Sequence, residues 1–359
     1  MFKYKPIIYI FEMDNEEYKN KGLSGLTNLG NTCFLNSTMQ VLSHTYELNN
    51  FLKINTYKKR LNNKYDSVLL SEWDELRTIL WNENCVVSPF KFVKTVQKIS
   101  KLKGQSMFSG FEQNDLPEFL IFVIDCFHNA LSREVNMTIE GHIKDEKDKM
   151  AVKCFEKIKQ MYENDYSEIW SMFYGIQVSM LENEKNGKKI SMVPEPYFII
   201  NLPIPQNNKS PSLMDCFDLY VESELLDGEN CVTDDEIGEK VAVKKNMMFW
   251  NFPDILVIDI KRFNPMNKNN KNQIMVTFPL KNLNLSKYVI GYKKDSYIYE
   301  LYGVCNHSGS FMGGHYTSFV KNANEKWYHY NDTNVTHIVN EEQIITPKAY
   351  CFFYRKMKR

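Results

Sequence analysis

Apolar residues recur at helical spacing through the first third of the chain. Leu35, Met39, Leu42 and Tyr46 fall at i, i+4, i+7 and i+11, which predicts a helix running on from Asn31. "SEWDELRTILW" and "SPFKFVKTVQKI" predict two more, the second with Ser88 as its cap and Pro89 in its first turn. The clearest stripe lies in "QNDLPEFLIFVIDCFHNAL", where Leu116, Phe119, Leu120, Val123, Phe127 and Leu131 share one face. Residues 132–169 are dense in charge and read as an exposed helical insertion. Beyond them the period shortens. "PYFIINLPIP", "DILVIDIKRF", "IYELYGVCNH", "HYTSFVKN", "KWYHYND" and "AYCFFYRK" predict strands, and "NPMNKNNKNQ" reads as a polar loop between two of them. One further strand is expected at Ile7–Phe11, inside a short N-terminal extension. A helical lobe followed by an antiparallel β lobe makes an α+β protein with a cleft where the lobes meet.

Bulk properties narrow the choice of partner. The 359 residues are 43% hydrophobic and 25% charged, enough for one large core or two smaller lobes. Lys+Arg and Asp+Glu both number 44, so no net charge draws the chain to nucleic acid or to an acidic membrane. The eight cysteines are widely spaced, which argues against a disulfide framework and against a CxxC zinc knuckle. The apolar run "PIIYIF" is too short for a secretory core or a membrane span. A cytoplasmic or nuclear protein with reduced thiols is expected.

Candidate chemistry begins at "GLTNLGNTCFLNSTMQVL". A lone cysteine is commonly a small buried hydrophobe. Cys33, however, follows a Gly/Asn-rich turn and opens a helix, with Asn31 and Thr32 as caps, where unpaired N–H groups favour thiolate. "CNHSGSFMGGHYTSFV" supplies two histidines, His307 and His315. His315 opens a strand directly after Gly313 and Gly314, and "WYHYND" follows a predicted hairpin later. Asn331 or Asp332 can then orient the imidazole, completing a nucleophile–base–orienter set. Cys305, His307 and His315 as metal ligands is the weaker alternative, since no fourth ligand lies at suitable spacing. Asp115 and Glu118 match a helix cap and its third residue, and i and i+3 also share a face.

These residues carry a resemblance. "GLTNLGNTCFLNS" resembles the cysteine box of the ubiquitin-specific proteases, and "NHSGSFMGGHYTSFVKNANEKWYHYND" their histidine box. "GFEQNDLPEFLIFVID" is similar to the glutamine/aspartate motif between the two, and "FPDILVIDIKRF" to the LKRF strand. The four appear in the family's order. "DCFDLYVESELLDGEN" further resembles the herpesvirus-associated branch, which lacks finger zinc. The resemblance implies a papain-like fold with a helical thumb (24–131), the charged insertion (132–169), and β fingers and palm (170–356), after a 1–23 extension.

It also implies roles. Cys33 would be the nucleophile, His315 the general base and then acid, and Asn331 the residue that orients it, with Asp332 supporting or replacing Asn331. Asn28 would donate its amide to the oxyanion. Asp115, Glu118 and Gln113 would bind ubiquitin's Arg-Leu-Arg-Gly-Gly tail, although Pro117 departs from the usual Gln. Phe263, His307, Gly314 and Tyr316 would line the channel that admits only glycine. On pattern alone Phe263 reads as core. The finger segments "GIQVSMLENEKNG" and "GENCVTDDEIGEK" lack thiolate pairs, so no zinc or other cofactor is expected.

The implied activity is thiol-dependent hydrolysis after ubiquitin's last glycine, with ubiquitin and ubiquitinated proteins as partners, no nucleic acid or membrane, and a monomeric enzyme. Two alternatives remain beside it: a catalytically silent ubiquitin-binding module, and a protease for a ubiquitin-like modifier.

Overall fold

A computed structural model describes residues 3–4, 15–54, 56–62, 64–264, 267–310 and 313–357. The strand expected at Ile7–Phe11 lies outside them. The helical lobe is built from α1 (Cys33–Ser43), α2 (Tyr46–Lys53), α3 (Tyr65–Asn82), α4 (Phe90–Leu102) and α5 (Leu116–Leu131). The stripe read from Leu35 to Tyr46 is split. The chain breaks at His44 and Thr45, and Tyr46 starts α2. Pro89 is the N-cap of α4 rather than a first-turn residue. Asp115 caps α5 by accepting the Glu118 N–H, while Pro117 sits where an N–H would go unpaired anyway.

The charged insertion holds α6 (Glu146–Asp165), and here the expectation is corrected. Ala151, Cys154, Phe155, Ile158 and Tyr162 form a buried stripe packed with Ile176, Val178 and Trp250. Charge dominates the composition of α6, yet a few apolar residues at helical spacing suffice to dock one face. A short helix, α7 (Glu168–Phe173), leads into the β region.

Four strands form the fingers in the order β2–β1–β5–β4: β1 (Gly175–Asn183), β2 (Lys189–Tyr197), β4 (Glu224–Leu226) and β5 (Val243–Asn251). The palm adds β3 (Ile199–Leu202), β6 (Ile255–Ile260), β7 (Ile298–Ser310), β8 (Gly313–Lys321), β9 (Trp327–Asn331), β10 (Asn334–Ile338) and β11 (Ala349–Lys356). They run in the order β10–β9–β8–β7–β11–β6–β3, with Leu283–Asn284 beside β7. The palm is not wholly antiparallel, because β6 pairs with β3 in parallel. All six residues of β6 are buried. Ile255 and Val257 face the helices, whereas Leu256, Ile258 and Ile260 face a second core containing α8 (Leu213–Val221). A strand covered on both faces reads as a continuous apolar run, which is why "ILVI" shows no alternation. The "polar loop" after Phe263 contains a short hairpin, Phe263–Asn264 paired with Asn267–Lys271. Among the described residues no helix is long and apolar enough to cross a membrane.

Two expected results follow from this packing. Strand pairing and the α6 face hold the finger sheet, so a chelator is expected to leave the melting temperature unchanged; a chelator-induced drop would reveal a structural metal. The second result concerns acid. His44 closes α1 with no exposed surface, its Nδ1 2.9 Å from the Gln40 carbonyl, and burial lowers it from 6.5 to about 4. It stays neutral in the fold, while in the unfolded chain it takes a proton near its ordinary value. Its contribution is therefore complete above pH 6.5 and lost as pH falls toward 4, by about 3 kcal/mol. His307, also lowered to about 4, acts in the same direction. Thermal melts between pH 7 and 4.5 should show the loss, and it should shrink in His44→Gln.

Candidate active site

The turn before α1 is tight. Gly30 and Asn31 both take left-handed backbone conformations, φ 98° and 56°, a region glycine enters without steric cost. Asn31 therefore lies outside the helix. Thr32 is the N-cap without a side-chain cap bond, its hydroxyl accepting the Leu29 N–H instead. Cys33 is the first residue of α1 and only 2% exposed. The expectation of a ready thiolate is corrected here. Burial is the largest influence and pushes the Cys33 thiol up, with the Asp332 charge adding to it. The peptide N–H of Tyr316, which hydrogen-bonds the sulfur, and the N–H groups of the helix start pull it down less. Desolvation outweighs the helix end.

Strand β8 packs against α1, and His315 and Tyr316 are consecutive residues on it. His315 Nε2 lies 2.7 Å from the Asn331 side-chain oxygen at the end of β9. An amide oxygen only accepts, so Nε2 carries the proton and Nδ1 keeps its lone pair. Asp332 is placed differently from the expectation that it supports or replaces Asn331. It occupies the β9–β10 turn with φ 49°, and its carboxylate turns away to the segment before α1. Its Oδ2 accepts the Asn28 amide at 3.0 Å, its Oδ1 accepts the Asn36 amide at 2.7 Å, and its carbonyl accepts the Leu26 N–H at 2.8 Å. Asn28 Oδ1 in turn accepts the N–H groups of Gly30 and Thr32, both at 3.1 Å. Asn28 is thus locked at both ends of its amide, with one N–H of its NH2 left over.

Sequence reasoning missed Asn36. A polar side chain three residues after Cys33, on a helix whose residues are all buried, was the available signal.

Most of the remaining candidates gather in one cluster around His307 and Tyr350. Asp115 Oδ2 accepts the Tyr350 hydroxyl at 2.7 Å, and burial raises the Asp115 carboxyl. Glu118 is exposed, and it too is raised, by desolvation first and then by Asp115. Phe263 is half-buried, with ring centroids 5.7 Å from His307 and 6.1 Å from Tyr350; Tyr316 lies 4.6 Å from His307. Phe263 also packs against the main core as a partly buried residue. His307 is held neutral by burial and by Lys271, whose ammonium sits 3.0 Å from its Nδ1 and donates to its carbonyl at 2.5 Å. Neither Lys271 nor Tyr350 carried a recognisable signal in the sequence. Gln113 bonds both peptide atoms of Gly314: its Nε2 donates to the carbonyl at 2.7 Å, and its Oε1 accepts the N–H at 2.6 Å. Cys305 lies in the core with its thiol directed at the Ser37 carbonyl, and among the described residues no His, Cys, Asp and Glu cluster is arranged to hold a metal ion.

A cysteine opening a buried helix, packed against a strand that carries a histidine oriented by an amide, fits the layout of a papain-like cysteine hydrolase on an α+β scaffold. A family model described as Ubiquitin carboxyl-terminal hydrolase matches residues 24–354, and the chain belongs to that family. Ubiquitin carboxyl-terminal hydrolase 2 of Homo sapiens is 34% identical over 351 residues, covering 93% of this chain and 55% of the relative. Ubiquitin carboxyl-terminal hydrolase 21 of Homo sapiens is 30% identical over 359 residues, covering 94% and 62%. The chain thus spans little more than half the length of these curated relatives. They lend no support to the herpesvirus-associated branch. Among solved structures, the SAGA deubiquitinating module containing Ubp8 and bound to monoubiquitin matches with a TM-score of 0.73 at 22% identity. That match covers 95% of this chain and 70% of Ubp8 and is a likeness of fold. The same module bound to ubiquitin aldehyde matches equally, at 23% identity.

Proposed function

We propose that this chain is a thiol-dependent deubiquitinase, cleaving the isopeptide or peptide bond after ubiquitin's C-terminal glycine. The observation that carries the reading is the line Cys33–β8–His315–Asn331, with the Asn331 oxygen 2.7 Å from Nε2. In this scheme Nδ1 of His315 accepts the Cys33 proton as sulfur attacks the glycine carbonyl. Asn331 keeps the imidazole in the tautomer that can accept it. Charge gathering on the carbonyl oxygen meets the spare N–H of Asn28, which Asp332 holds in place. The imidazolium protonates the departing amine, leaving a thioester on Cys33, and His315 then deprotonates the water that hydrolyses it. A raised thiol suits this scheme: the proton is still present at rest, and transfer to His315 accompanies attack.

Asp115 and Glu118 support ubiquitin as substrate, because two carboxylates beside the channel suit the two arginines of the tail. All eight cysteines are free, which supports a reducing compartment, cytoplasmic or nuclear, and we take the working form to be a monomer. The test is labelling by a ubiquitin vinyl-sulfone probe, expected for the wild type and lost in Cys33→Ser. Labelling that survives the substitution would remove Cys33 from the scheme. Binding of ubiquitin without turnover of ubiquitin–coumarin would favour the silent module instead, and faster turnover of another modifier's conjugate would reassign the substrate.

A further inference from the structure

We propose that the side-chain amide of Gln113 is a stand-in for the substrate's backbone, a clasp that the incoming tail must displace; this rests on the hydrolase reading above. The N–H and C=O of a strand residue point to the same edge, and alternate residues share that edge. Gln113 bonds both peptide atoms of Gly314 on the edge away from β7, so Gly314, Tyr316 and Ser318 direct their peptide groups to the side on which β9 pairs. The pairing with β9 covers only Ser318 to Lys321. Among the described residues the same edge therefore continues without a strand partner past Tyr316 and Gly314.

One side chain occupies that open edge: Gln113 takes both peptide atoms of Gly314. A primary amide that accepts from the N–H and donates to the C=O of one residue reproduces the two-bond exchange of an antiparallel strand pair. A peptide group of an extended tail, one step from the carbonyl at Cys33, fits the same two bonds. The opposite edge of Gly314 is closed by β7, whose Gly309 pairs with it, and one face is crowded too, since a Cβ would come within 2.3 Å of His307 Nε2. The Gln113-facing edge is therefore the one by which backbone can approach. Gln113 itself is exposed, on the segment between α4 and α5, and can swing into water.

Gln113 then sets an entry threshold. Only an unbranched, extended backbone that remakes both bonds offsets the loss of the clasp, and the apparent affinity of every tail is reduced by the closed fraction. The test compares wild type and Gln113→Ala, as full chains, on ubiquitin–coumarin and on the pentapeptide Arg-Leu-Arg-Gly-Gly–coumarin. Opening the clasp is expected to lower KM for the pentapeptide by roughly fivefold, the worth of about one net hydrogen bond. For whole ubiquitin, which has further contacts to drive displacement, the fall should be smaller. Gln113→Glu, which keeps the N–H acceptor and loses the donor, should shift KM the same way at neutral pH and return toward wild type as the carboxyl protonates.

Hydrogen exchange of the Gly314 amide guards against a misfolded variant. It should be slow in the free wild type, fast in Gln113→Ala, and slow again in both when ubiquitin aldehyde is bound. A KM that stays equal or rises in Gln113→Ala, with wild type active, would overturn the clasp and leave Gln113 a contact of the bound tail. A wild type that turns over neither substrate would instead overturn the hydrolase reading.

Discussion

Cys33→Ala is expected to bring turnover of ubiquitin–coumarin down by about a millionfold, the scale on which losing a nucleophile silences a catalytic unit. Cys33→Ser should be nearly as inert, because an alkoxide lies much further from His315 in basicity than a thiolate does. The free protein should also report the state of the thiol. Burial and Asp332 push Cys33 up, so its alkylation by iodoacetamide should climb roughly tenfold per pH unit through neutrality toward alkaline pH. A rate already flat below pH 7 would mean a standing thiolate–imidazolium pair, contrary to the desolvated site described above.

The second large effect is expected away from the sulfur. Asn28→Ala should lower kcat by about 10²–10³, equivalent to about 2.7–4 kcal/mol of barrier, as for other lost oxyanion donors. Asp332→Ala should lower kcat on a similar scale, although Asp332 reaches the reaction through the Asn28 amide it holds at 3.0 Å. Because the two act as one unit, the double variant should be little worse than either single one. Multiplying losses in steady-state kcat would show that Asp332 works independently of Asn28, for instance by acting on His315 as the sequence suggested.

The contrast between those two outcomes shows where the sequence was informative. Cys33, His315 and Asn331 could be picked out because each sits at a boundary that local rules mark: a Gly/Asn turn into a helix, a Gly-Gly entry to a strand, a strand end. The direction of the Asp332 side chain had no such marker. It depends on a left-handed turn residue and on the Leu26 N–H meeting the Asp332 carbonyl from 306 positions away in the chain. Thiol acidity failed for a related reason: the helix-end effect is local and legible, while desolvation is the sum of everything packed around residue 33. Helix α6 was read from its charges, yet five apolar residues decide its placement. The parallel pairing of β3 with β6 and the embrace of Gly314 by Gln113 are contacts between distant segments, which periodicity cannot register.

Every residue of α1 is buried, and one continuous core joins α1 to α3 and α5 on one side and to Val257, Cys305, Val320 and Phe353 of the palm on the other. Cys33 is thus mounted on the axle of the molecule rather than on either jaw. A jaw that swung open would have to tear that core, so adaptation to a partner falls to the rim, where side chains such as Gln113 can change partners while α1 and β8 stay packed. Ligands that slow the proposed hydrolase without touching Cys33 would therefore act by jamming the rim, and they should leave its unfolding as cooperative as before.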